Sequence, residues 1–486
     1  MLAFFPFLFL LSDFISPYVC TDNVLKQNYH NQNMCQLQDE IPLELKNLPY
    51  VIYPNDPKYD TKRFIYNKCF NLFPHAIIVP RNVEEMAFVL KSLQTHQLPF
   101  SLRAGGHCYE PGSLSSGYVI DLANFHTIVP DVSKGEVVVG AGCLLGDVIE
   151  SVGALDYAVP TGDCPVVGVT GLSLGGGQGV LTRLYGMTCD AIKSISMMTA
   201  DGQVIEVNAT SYPDLFWAMR GAGNGSYGVV LGLTLKMYPI AKAHYVELSW
   251  DWDEASPSAI FERWQSWLSN LPHEITTHIR FQYANGKSVI KLTAVKIGSD
   301  ALNEWEKPFK SLEPKVTFFS GRYVESAHYW AASHSNPFSK SKSAMIMQPI
   351  QQKGIDIIVN CLTQMEQEKK AHQVHFTIAS MGGESAKGDT AYYPRKALAM
   401  WHQMVTWETP EEEKGALHTL RTFSREISPY VSTQCYANIV DYDLGDGYLR
   451  AYFGTHVEKL IEIKKKYDPT NLFHWKQSIP LSHPVQ

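Results

Sequence analysis

The sequence has no excess of positive charge and few clustered basic residues. Lys and Arg total 41 against 48 Asp and Glu, which gives a formal net charge of −7. Proteins bind nucleic-acid phosphates through clustered Lys and Arg, so this balance excludes a nucleic-acid-binding surface. The one basic cluster that stands out is Lys464-Lys465-Lys466, which we expect to face solvent on a late helix.

A bilayer-spanning segment is also lacking. Residues 1–20 form an apolar block rich in Phe and Leu, but Pro6, Asp13 and Pro17 interrupt it, and it is short for a membrane span. The block instead resembles the apolar region of a secretory signal peptide. We therefore predict a signal peptide at residues 1–20 and a secreted or extracytoplasmic protein; a buried N-terminal segment is the alternative.

The sequence also lacks His, Cys, Asp and Glu residues at the spacing of metal ligands. Its cysteines are odd in number. His372 and His375 are close in sequence, but no acidic or thiol partners at ligand spacing accompany them, so no metal site is predicted. Nine cysteines leave at least one unpaired within the chain. For an exported protein we expect a disulfide between Cys35 and Cys69, with Cys164 as the odd thiol.

A dinucleotide-binding fingerprint is missing too. The glycines of residues 140–146 lie between a predicted strand and a predicted helix, but the third comes one position late and Leu145 occupies the required place. Residues 223–228 have the right glycine spacing, yet they lead into the strand-like residues 229–235 and not into a helix N-terminus. These two departures exclude a Rossmann domain.

Hydrophobic periodicity predicts mixed strands and helices. In the first half of the chain, the predicted strands cover residues 76–80, 100–103, 118–122 and 136–139, and the predicted helices cover residues 83–96 and 144–153. The glycine-rich pattern stops near residues 238–240. From residue 246, apolar and polar residues alternate, and a helix through Phe261, Trp264 and Leu268 follows. This pattern predicts an antiparallel sheet backed by helices, and a strand within residues 390–407 completes the sheet.

Two reactive side chains lie in glycine-rich backbone. His107 follows Gly105 and Gly106, and Cys164 opens a segment with many glycines. Glycine allows close approach of the backbone to a bulky phosphorylated cofactor. Imidazole and thiolate are the side chains that commonly bond covalently to a flavin, so we interpret the pair as tethers for FAD. A turn histidine and a small buried cysteine are the ordinary structural alternatives.

Five ordered motifs resemble one flavoprotein family. They are residues 103–107 (RAGGH), 164–168 (CPVVG), 175–179 (GGGQG), 214–223 (DLFWAMRGAG), and 467–473 (YDPTNLF) with 477–479. Together they resemble the berberine-bridge-enzyme-like branch of the vanillyl-alcohol-oxidase flavoproteins. The resemblance covers roughly residues 40 to 480.

The resemblance implies an α+β fold with a two-part FAD-binding domain, residues 40–240 and 429–486, and an inserted antiparallel-sheet substrate domain, residues 241–428. It also implies bicovalent FAD, with His107 on the 8α-methyl carbon and Cys164 on carbon 6 of the flavin. Further cofactor contacts are expected from Arg103, Gly105, Gly106, Val169, Gly175, Gly176, Gly177, Gly179 and Asn438.

The catalytic base departs from the family pattern. Relatives often place a tyrosine base at the end of a Tyr-x-Asn-Tyr motif, but residues 436–439 read Tyr-Ala-Asn-Ile, so the position is Ile439. His402 lies where several relatives carry a glutamate, and an imidazole with a pKa of about 6.5 is a better base near neutrality than a tyrosine. We predict His402 as proton acceptor and Tyr436 as the residue that orients the hydroxyl; a packed histidine is the alternative.

The implied function is an FAD-linked oxidoreductase that oxidises an alcohol or hemiacetal hydroxyl, expected to belong to a saccharide, by hydride transfer. Expected partners are a small-molecule or oligosaccharide substrate and molecular oxygen. Val169 and Thr170 lie where related enzymes control oxygen access, but no sequence rule separates an oxidase from a dehydrogenase. Two alternatives stay open: an oxidase of an amine, alkaloid or aromatic alcohol, and a flavoprotein with no catalytic role, which Ile439 favours.

Overall fold

The computed structural model describes residues 41–254, 256–298, 307–331 and 336–483. The predicted signal peptide at residues 1–20 and Cys35 of the predicted disulfide lie outside these ranges, so both stay predictions. Within the described ranges, no helix has the length and apolar character that a membrane crossing requires. The same ranges contain no group of three or more His, Cys, Asp or Glu side chains that could hold a metal ion.

Strands and helices alternate along the chain. The strands are β1 Val51–Ile52, β2 Ala76–Ile78, β3 Phe100–Arg103, β4 Tyr118–Asp121, β5 Ile128–Asp131, β6 Glu136–Gly140, β7 Tyr157–Ala158, β8 Ile192–Met198, β9 Val204–Asn208, β10 Val229–Lys236, β11 Tyr238–Pro239, β12 Lys242–Asp251, β13 Ile275–Ala284, β14 Lys287–Ile297, β15 Lys315–Arg322, β16 Phe338–Ile346, β17 Gln373–Ser380 and β18 Ala399–Trp407. The helices are α1 Tyr59–Arg63, α2 Val83–Thr95, α3 Leu145–Gly153, α4 Val169–Leu174, α5 Thr182–Tyr185, α6 Pro213–Ala222, α7 Pro257–Leu268, α8 Tyr323–Trp330, α9 Gln352–Gln367, α10 Glu413–Ile427, α11 Tyr448–Phe453 and α12 Val457–Tyr467.

Helix α2 shows how local sequence sets an element. Its N-cap, Asn82, accepts a hydrogen bond from the Glu85 backbone N–H, which satisfies one of the donors that a helix start leaves open. Met86, Val89 and Leu93 recur at helical spacing and are buried against the first core. The helix therefore forms where the periodicity predicts it.

Two small sheets build the N-terminal half. The first has the order β1-β2-β4-β3, with β2, β4 and β3 parallel, and the second has the order β5-β6-β10-β8-β9 with every pair antiparallel. Residues 229–235, which follow the second glycine-rich candidate, lie in β10. The exclusion of a Rossmann domain is therefore confirmed, because neither sheet is a doubly wound parallel sheet.

A seven-stranded antiparallel sheet forms the middle of the chain, in the order β15-β12-β14-β13-β17-β18-β16. One face packs against α7, α9 and α10 through a second core that includes Trp264, Phe376 and Trp401. Because strand residues alternate between faces, the neighbours of these core residues point the other way. The α+β class with an antiparallel sheet backed by helices is confirmed, and the domain boundaries at residues 240 and 428 stay a prediction.

The C-terminal segment returns to the first core and is fixed there by a buried charge. Lys464 of α12 is fully buried, and its Nζ donates hydrogen bonds to Asp468 Oδ2 at 2.7 Å and to the carbonyls of Ser226 and Phe473 at 2.6 Å each. The expectation that Lys464, Lys465 and Lys466 face solvent is therefore wrong for Lys464. Its position on the apolar face of α12 directs it inward, where a carboxylate and two carbonyls satisfy the ammonium.

Candidate active site

A cavity of about 1080 Å³ lies between the free face of the seven-stranded sheet and the glycine-rich loops of the N-terminal half. Drug-sized ligands usually occupy pockets of about 300–1,000 Å³, so this volume suits a large cofactor together with a substrate. His107, Cys164, His402, Tyr436 and Asn438 all line it. The fold thus brings the predicted tethers and the predicted catalytic residues to one site.

The two tether loops meet through glycine. A Cβ on Gly105 would lie 2.3 Å from the Gly168 backbone nitrogen, and a Cβ on Gly168 would lie 2.5 Å from the Gly105 nitrogen. This approach brings His107 Nε2 within 3.8 Å of Cys164 Sγ. Tyr66 stacks on the His107 ring at 3.9 Å between centroids and holds its orientation. Both reactive atoms are therefore placed side by side on the cavity wall.

The environment of Cys164 favours the thiol over the thiolate. Burial raises the pKa of Cys164, and the neighbouring Asp163 charge raises it further, although hydrogen bonds from the backbone of Val166 and Val167 act in the opposite direction. Cys164 is therefore not an activated nucleophile of the kind found beside basic residues. A bond from its sulfur to a ligand requires proximity and the reactivity of the ligand itself.

The wall of the cavity fits the polar parts of FAD. Among the described residues, the buried hydroxyl oxygens of Ser101 and Thr170 have no hydrogen-bond partner, and both residues line the cavity. Buried hydroxyls are normally paired, so unpaired ones on a cavity wall indicate a polar ligand. Gly105, Gly106 and Gly168 leave the backbone accessible beside them. These residues would hold FAD, with His107 and Cys164 at the flavin.

Several predicted cofactor contacts lie behind the cavity wall. Arg103, Val169, Gly175, Gly176, Gly177 and Gly179 do not belong to the cavity lining among the described residues. Arg103 is buried in an ion pair with Asp121 at 2.9 Å, and Val169 begins α4 inside the first core. These residues support the wall, so any contact with the cofactor is a prediction that their positions do not favour.

The glycines of residues 175–177 give space to protein groups. A Cβ on Gly175 would lie 2.0 Å from Asn438 Oδ1, and one on Gly177 would lie 2.1 Å from Thr188 Oγ1. Gly176 and Gly177 also adopt φ values of +130° and +83°, which L side chains rarely tolerate. The run is therefore required for packing and for backbone conformation, and Gly179 likewise approaches the Thr161 carbonyl oxygen.

Asn438 and Tyr436 form one hydrogen-bonded unit. Asn438 Nδ2 donates to the Tyr436 hydroxyl at 2.9 Å and to the Leu172 carbonyl at 2.8 Å, and its Oδ1 accepts from Asn224 at 2.9 Å. The Gly177 backbone N–H also donates to the Tyr436 hydroxyl, at 2.7 Å. Tyr436 therefore accepts two N–H bonds, which leaves its own proton to be donated. Burial raises the pKa of Tyr436 and keeps that proton in place.

The sheet supplies a polar wall that the sequence reasoning missed. The cavity-facing residues of β13, β17 and β18 include His278, Arg280 and Gln282 in β13, Gln373, His375 and Thr377 in β17, and Met400, His402 and Met404 in β18. Alternation along β18 places Met400, His402 and Met404 together on this face. The alternation of β13 and β17 carries the same period-two signal, and it would have predicted the remaining residues had these strands been identified.

His402 is a neutral imidazole in this site. Its Nε2 lies 3.2 Å from Ser341 Oγ, and its ring meets Tyr109 edge to face at 5.4 Å. Burial, and then the neighbouring His375 and Arg280, lower the pKa of His402 to about 3. The pKa of about 6.5 assumed from the sequence is therefore wrong. His402 offers an unprotonated nitrogen at every pH near neutrality, but its protonated form is costly.

Next to the Cys164 thiol, Asp163 and His278 form a buried carboxyl–imidazole contact. Asp163 Oδ2 is 3.7 Å from His278 Nδ1, and Asp163 Oδ1 accepts from the Val180 backbone N–H at 3.2 Å. Burial raises the pKa of Asp163 to about 7 and lowers the pKa of His278 to about 4. The contact is therefore not a full ion pair near neutral pH, because burial drives both groups toward their neutral forms.

Asp163 is expected to make stability depend on pH. The folded protein keeps the Asp163 proton up to about pH 7, whereas an unfolded aspartate loses it near pH 4. Stability is therefore lost as pH rises from about 4 to 7, by about 1–2 kcal/mol after allowance for hydration of the cavity. Asp163→Asn removes this dependence. The difference in thermal midpoint between the variant and the wild type should therefore increase from about pH 4 to 7 and stay constant above pH 7. A constant difference in midpoint from pH 4 to 8 would contradict the assignment.

Two family models match the chain at its ends. Residues 74–208 match an FAD binding domain, and residues 435–480 match the domain described as berberine and berberine like. The first match contains His107 and Cys164, and the second contains Tyr436 and Asn438. The two models thus cover the tether loops and the C-terminal part of the cavity wall, but not the strands of the seven-stranded sheet that line its other side.

Relatives match over most of the chain. An uncharacterised FAD-linked oxidoreductase of Bacillus subtilis, YgaK, is 29% identical over 442 residues, covering 88% of this chain and 96% of the relative. Berberine bridge enzyme-like 19 of Arabidopsis thaliana is 26% identical over 471 residues, covering 86% of this chain and 81% of the relative. The likeness therefore includes the sheet segment that neither family model covers.

Solved structures show the same fold. Physcomitrella patens BBE-like 1 aligns with a TM-score of 0.83 at 25% identity, over 93% of this chain and 100% of that one. A xylooligosaccharide oxidase from Myceliophthora thermophila aligns with a TM-score of 0.81 at 21% identity, over 94% and 99% of the two chains. A berberine bridge enzyme variant that is a reticuline dehydrogenase also gives 0.81, at 22% identity over 90% and 98%.

The fold, the cavity and these matches define an FAD-linked oxidoreductase. More specifically, the chain carries both family-model domains and is similar over most of its length to berberine bridge enzyme-like proteins and to FAD-linked oxidoreductases. The family resemblance of the five sequence motifs is thereby confirmed.

Proposed function

We propose that the protein oxidises an alcohol or hemiacetal hydroxyl of a saccharide, with FAD bonded to His107 and Cys164 and with molecular oxygen as the final acceptor. FAD, when bound, supplies a hydride acceptor, while the protein supplies orientation and proton transfer. The observation that carries the proposal is the polar sheet face opposite the tethers, which presents His278, Gln282 and Thr377 to the cavity. Neighbouring hydrogen-bonding groups on a flat wall suit a polyhydroxyl substrate.

The named relatives support this substrate class without deciding it. One structural neighbour is a xylooligosaccharide oxidase and another is a reticuline dehydrogenase. The fold therefore serves both sugars and alkaloids. The cavity of this chain favours the sugar because His375 and His402 lie on the wall that faces the tethers, and the lowered pKa of each keeps it neutral.

In this proposal, one side chain orients the substrate hydroxyl and another accepts its proton. Tyr436, which two N–H groups hold in place, donates to the substrate oxygen and orients it. His402 offers its neutral ring to the hydroxyl proton, and Ser341 is positioned to share the charge that develops. Because protonated His402 is costly, it then releases the proton to water that enters the cavity. Ile439 takes no part in this arrangement.

Replacing His402 with Asn tests the proton acceptor. We expect the rate of anaerobic flavin reduction by the best sugar to fall about 100-fold, in the range typical of a lost general base. The affinity for that sugar should change little, because Asn keeps a hydrogen-bonding group on the wall. Gln373→Asn, on the same sheet face in β17, is the matched control. An undiminished reduction rate in His402→Asn would leave the packed-histidine alternative as the better account.

A substrate panel tests the proposed function itself. The purified holoenzyme is mixed anaerobically with mono- and oligosaccharides, benzylic alcohols and amines, and bleaching of the flavin is followed by stopped flow. We expect sugars to bleach it, and we expect peroxide after oxygen is admitted. Bleaching by amines or benzylic alcohols alone would contradict the proposal and favour the alkaloid alternative. Bleaching by no compound would favour a flavoprotein without a catalytic role.

A further inference from the structure

Arg280 is a cation on the cavity wall, and no carboxylate of the described part of the chain lies within ion-pair distance of it. It lies in β13, its side chain is exposed to the cavity, and its Nε donates to Thr377 Oγ1 at 3.2 Å. Among the described residues it forms no ion pair with a carboxylate. Burial lowers its pKa, but an arginine side chain stays charged in proteins. Both terminal guanidinium nitrogens are therefore available to a ligand.

The nearby acids do not cancel this charge. Glu247 pairs with Lys291, whose Nζ is 3.1 Å away, and it also accepts from the Tyr245 hydroxyl at 3.2 Å. Asp163 is held by the Val180 backbone and, with a pKa raised by burial to about 7, carries only part of a charge near neutrality. The positive charge of Arg280 is consequently not balanced within the site.

The imidazoles around Arg280 are kept neutral. Burial is the main cause of the lowered pKa of His278, His375 and His402, and the guanidinium of Arg280 contributes to each. This shared effect shows that the charge of Arg280 reaches across the wall of the cavity. On the sheet side of the cavity, Arg280 is therefore a cation among neutral imidazoles and other hydrogen-bonding groups, and it attracts a negative charge on a ligand.

The strand register gives the distance from the predicted reaction centre. Arg280 pairs with Thr377, and Thr377 pairs with His402, so the three residues form one row across β13, β17 and β18. Neighbouring strands are about 4.8 Å apart, which places the backbone of Arg280 about 9.6 Å from that of His402. A group bound by Arg280 is therefore distal to the hydroxyl that faces His402, within the same small molecule.

From this placement we infer that Arg280 binds a carboxylate of the substrate, so that the site selects acidic hydroxyl compounds over their neutral counterparts. The inference rests on the proposed function, because it concerns the same cavity. The guanidinium fork matches a carboxylate with two parallel N–H bonds. The Thr377 hydrogen bond to Nε fixes the fork and leaves its outer edge toward the ligand.

Matched pairs of sugars test the inference. Each neutral sugar of the panel is compared with the uronic acid of the same configuration, as with glucose and glucuronate, in anaerobic flavin reduction. The non-oxidisable methyl glycosides of both are titrated by the change in flavin absorbance, which reports binding without turnover. The wild type should favour the acid at least about 10-fold in kcat/KM and in affinity. Equal or weaker binding of every acid would overturn the inference.

Variants of Arg280 test whether its guanidinium group causes the preference for acidic sugars. Arg280→Gln should lose about 100-fold in kcat/KM for the acid and less than about threefold for the neutral sugar. Arg280→Lys keeps the charge but not the planar guanidinium group, so its kcat/KM for the acid should lie between those of the wild type and Arg280→Gln. Arg263→Gln removes an exposed arginine of α7, which packs on the opposite face of the sheet, and it should match the wild type. An acid preference that survives in Arg280→Gln would contradict the assignment.

Three further outcomes separate failure of the inference, binding of a cofactor phosphate by Arg280, and failure of the proposed function. If neutral and acidic sugars bleach the flavin equally in the wild type, the proposed function stands and the role of Arg280 fails. If Arg280→Gln purifies with less flavin, the guanidinium contacts the FAD phosphates and not a substrate, which also overturns the inference. Failure of all sugars, neutral and acidic, would instead remove the proposed function.

Discussion

Replacing His107 and Cys164 together with alanine is expected to convert an acid-stable flavoprotein into one that releases all of its flavin on acid precipitation. The two reactive atoms lie 3.8 Å apart on the cavity wall, so each can reach the same ring system. Each single variant should keep one bond and retain the flavin in the precipitate. In-gel flavin fluorescence and the flavin absorbance of the acid supernatant measure the outcome.

Cys108→Ala is the matched control for the tethers. Cys108 is adjacent to His107 and lines the same cavity, and burial also raises the pKa of its thiol. Its replacement should leave all flavin in the precipitate, since the proposal assigns the sulfur bond to Cys164 alone. Flavin that remains acid-stable after both His107 and Cys164 are replaced would refute bicovalent attachment through this pair.

Replacing Lys464 with Met is expected to destabilise the folded protein by about 3–5 kcal/mol, the usual cost of breaking a buried ion pair. The change leaves the Asp468 carboxylate without its counter-charge and the carbonyls of Ser226 and Phe473 without their donor. The thermal midpoint of the holoenzyme should fall by about 3–5 °C. Lys465→Met alters the adjacent, exposed lysine and should shift the midpoint very little.

A double variant identifies the cause of that loss. Lys464→Met with Asp468→Asn removes both charges, so its destabilisation should be smaller than the sum of the two single effects. Asp468 also accepts the backbone N–H groups of Leu472 and Phe473, and the neutral amide can keep part of that role. Equal midpoints for Lys464→Met and Lys465→Met would show that the buried pair does not stabilise the C-terminal segment.

The sequence predicts most of the regular structure because its signals are local. The helix predicted at residues 83–96 is α2, Val83–Thr95, and the strand predicted at residues 100–103 is β3, Phe100–Arg103. The strand within residues 390–407 is restricted to β18, Ala399–Trp407. Alternation along β18 also gives the cavity face of His402. Such patterns depend on neighbouring residues alone.

Properties that depend on tertiary contacts were not predicted. The pKa of His402 is lowered to about 3 by burial and by groups on other strands, which an isolated segment cannot report. Lys464 and its neighbours read as one basic run, yet three partners brought by the fold bury the first of them. Arg280 belongs to a strand that carries no recognisable motif, and the sheet register alone brings it to the cavity.

The glycine run illustrates a partial success of sequence reasoning. Composition predicts that residues 175–177 need backbone without side chains, and that is what the structure has. The resemblance implies that the cofactor comes close to this run, whereas the structure places the side chains of Asn438, Tyr392 and Thr188 there. A glycine in the sequence indicates that space is required at that position, whereas the group that fills the space depends on the rest of the fold.

The two-sided sheet separates what the protein recognises from what keeps it folded. Residues such as Trp401 and Phe376 pack against the helices, while their strand neighbours His402 and Thr377 face the cavity. Exchanges on the open side can therefore retune selectivity one position at a time and leave the helix-covered side intact. Arg280 is one such position, and a chain of this architecture can acquire or lose a preference for charged molecules by a single codon change there.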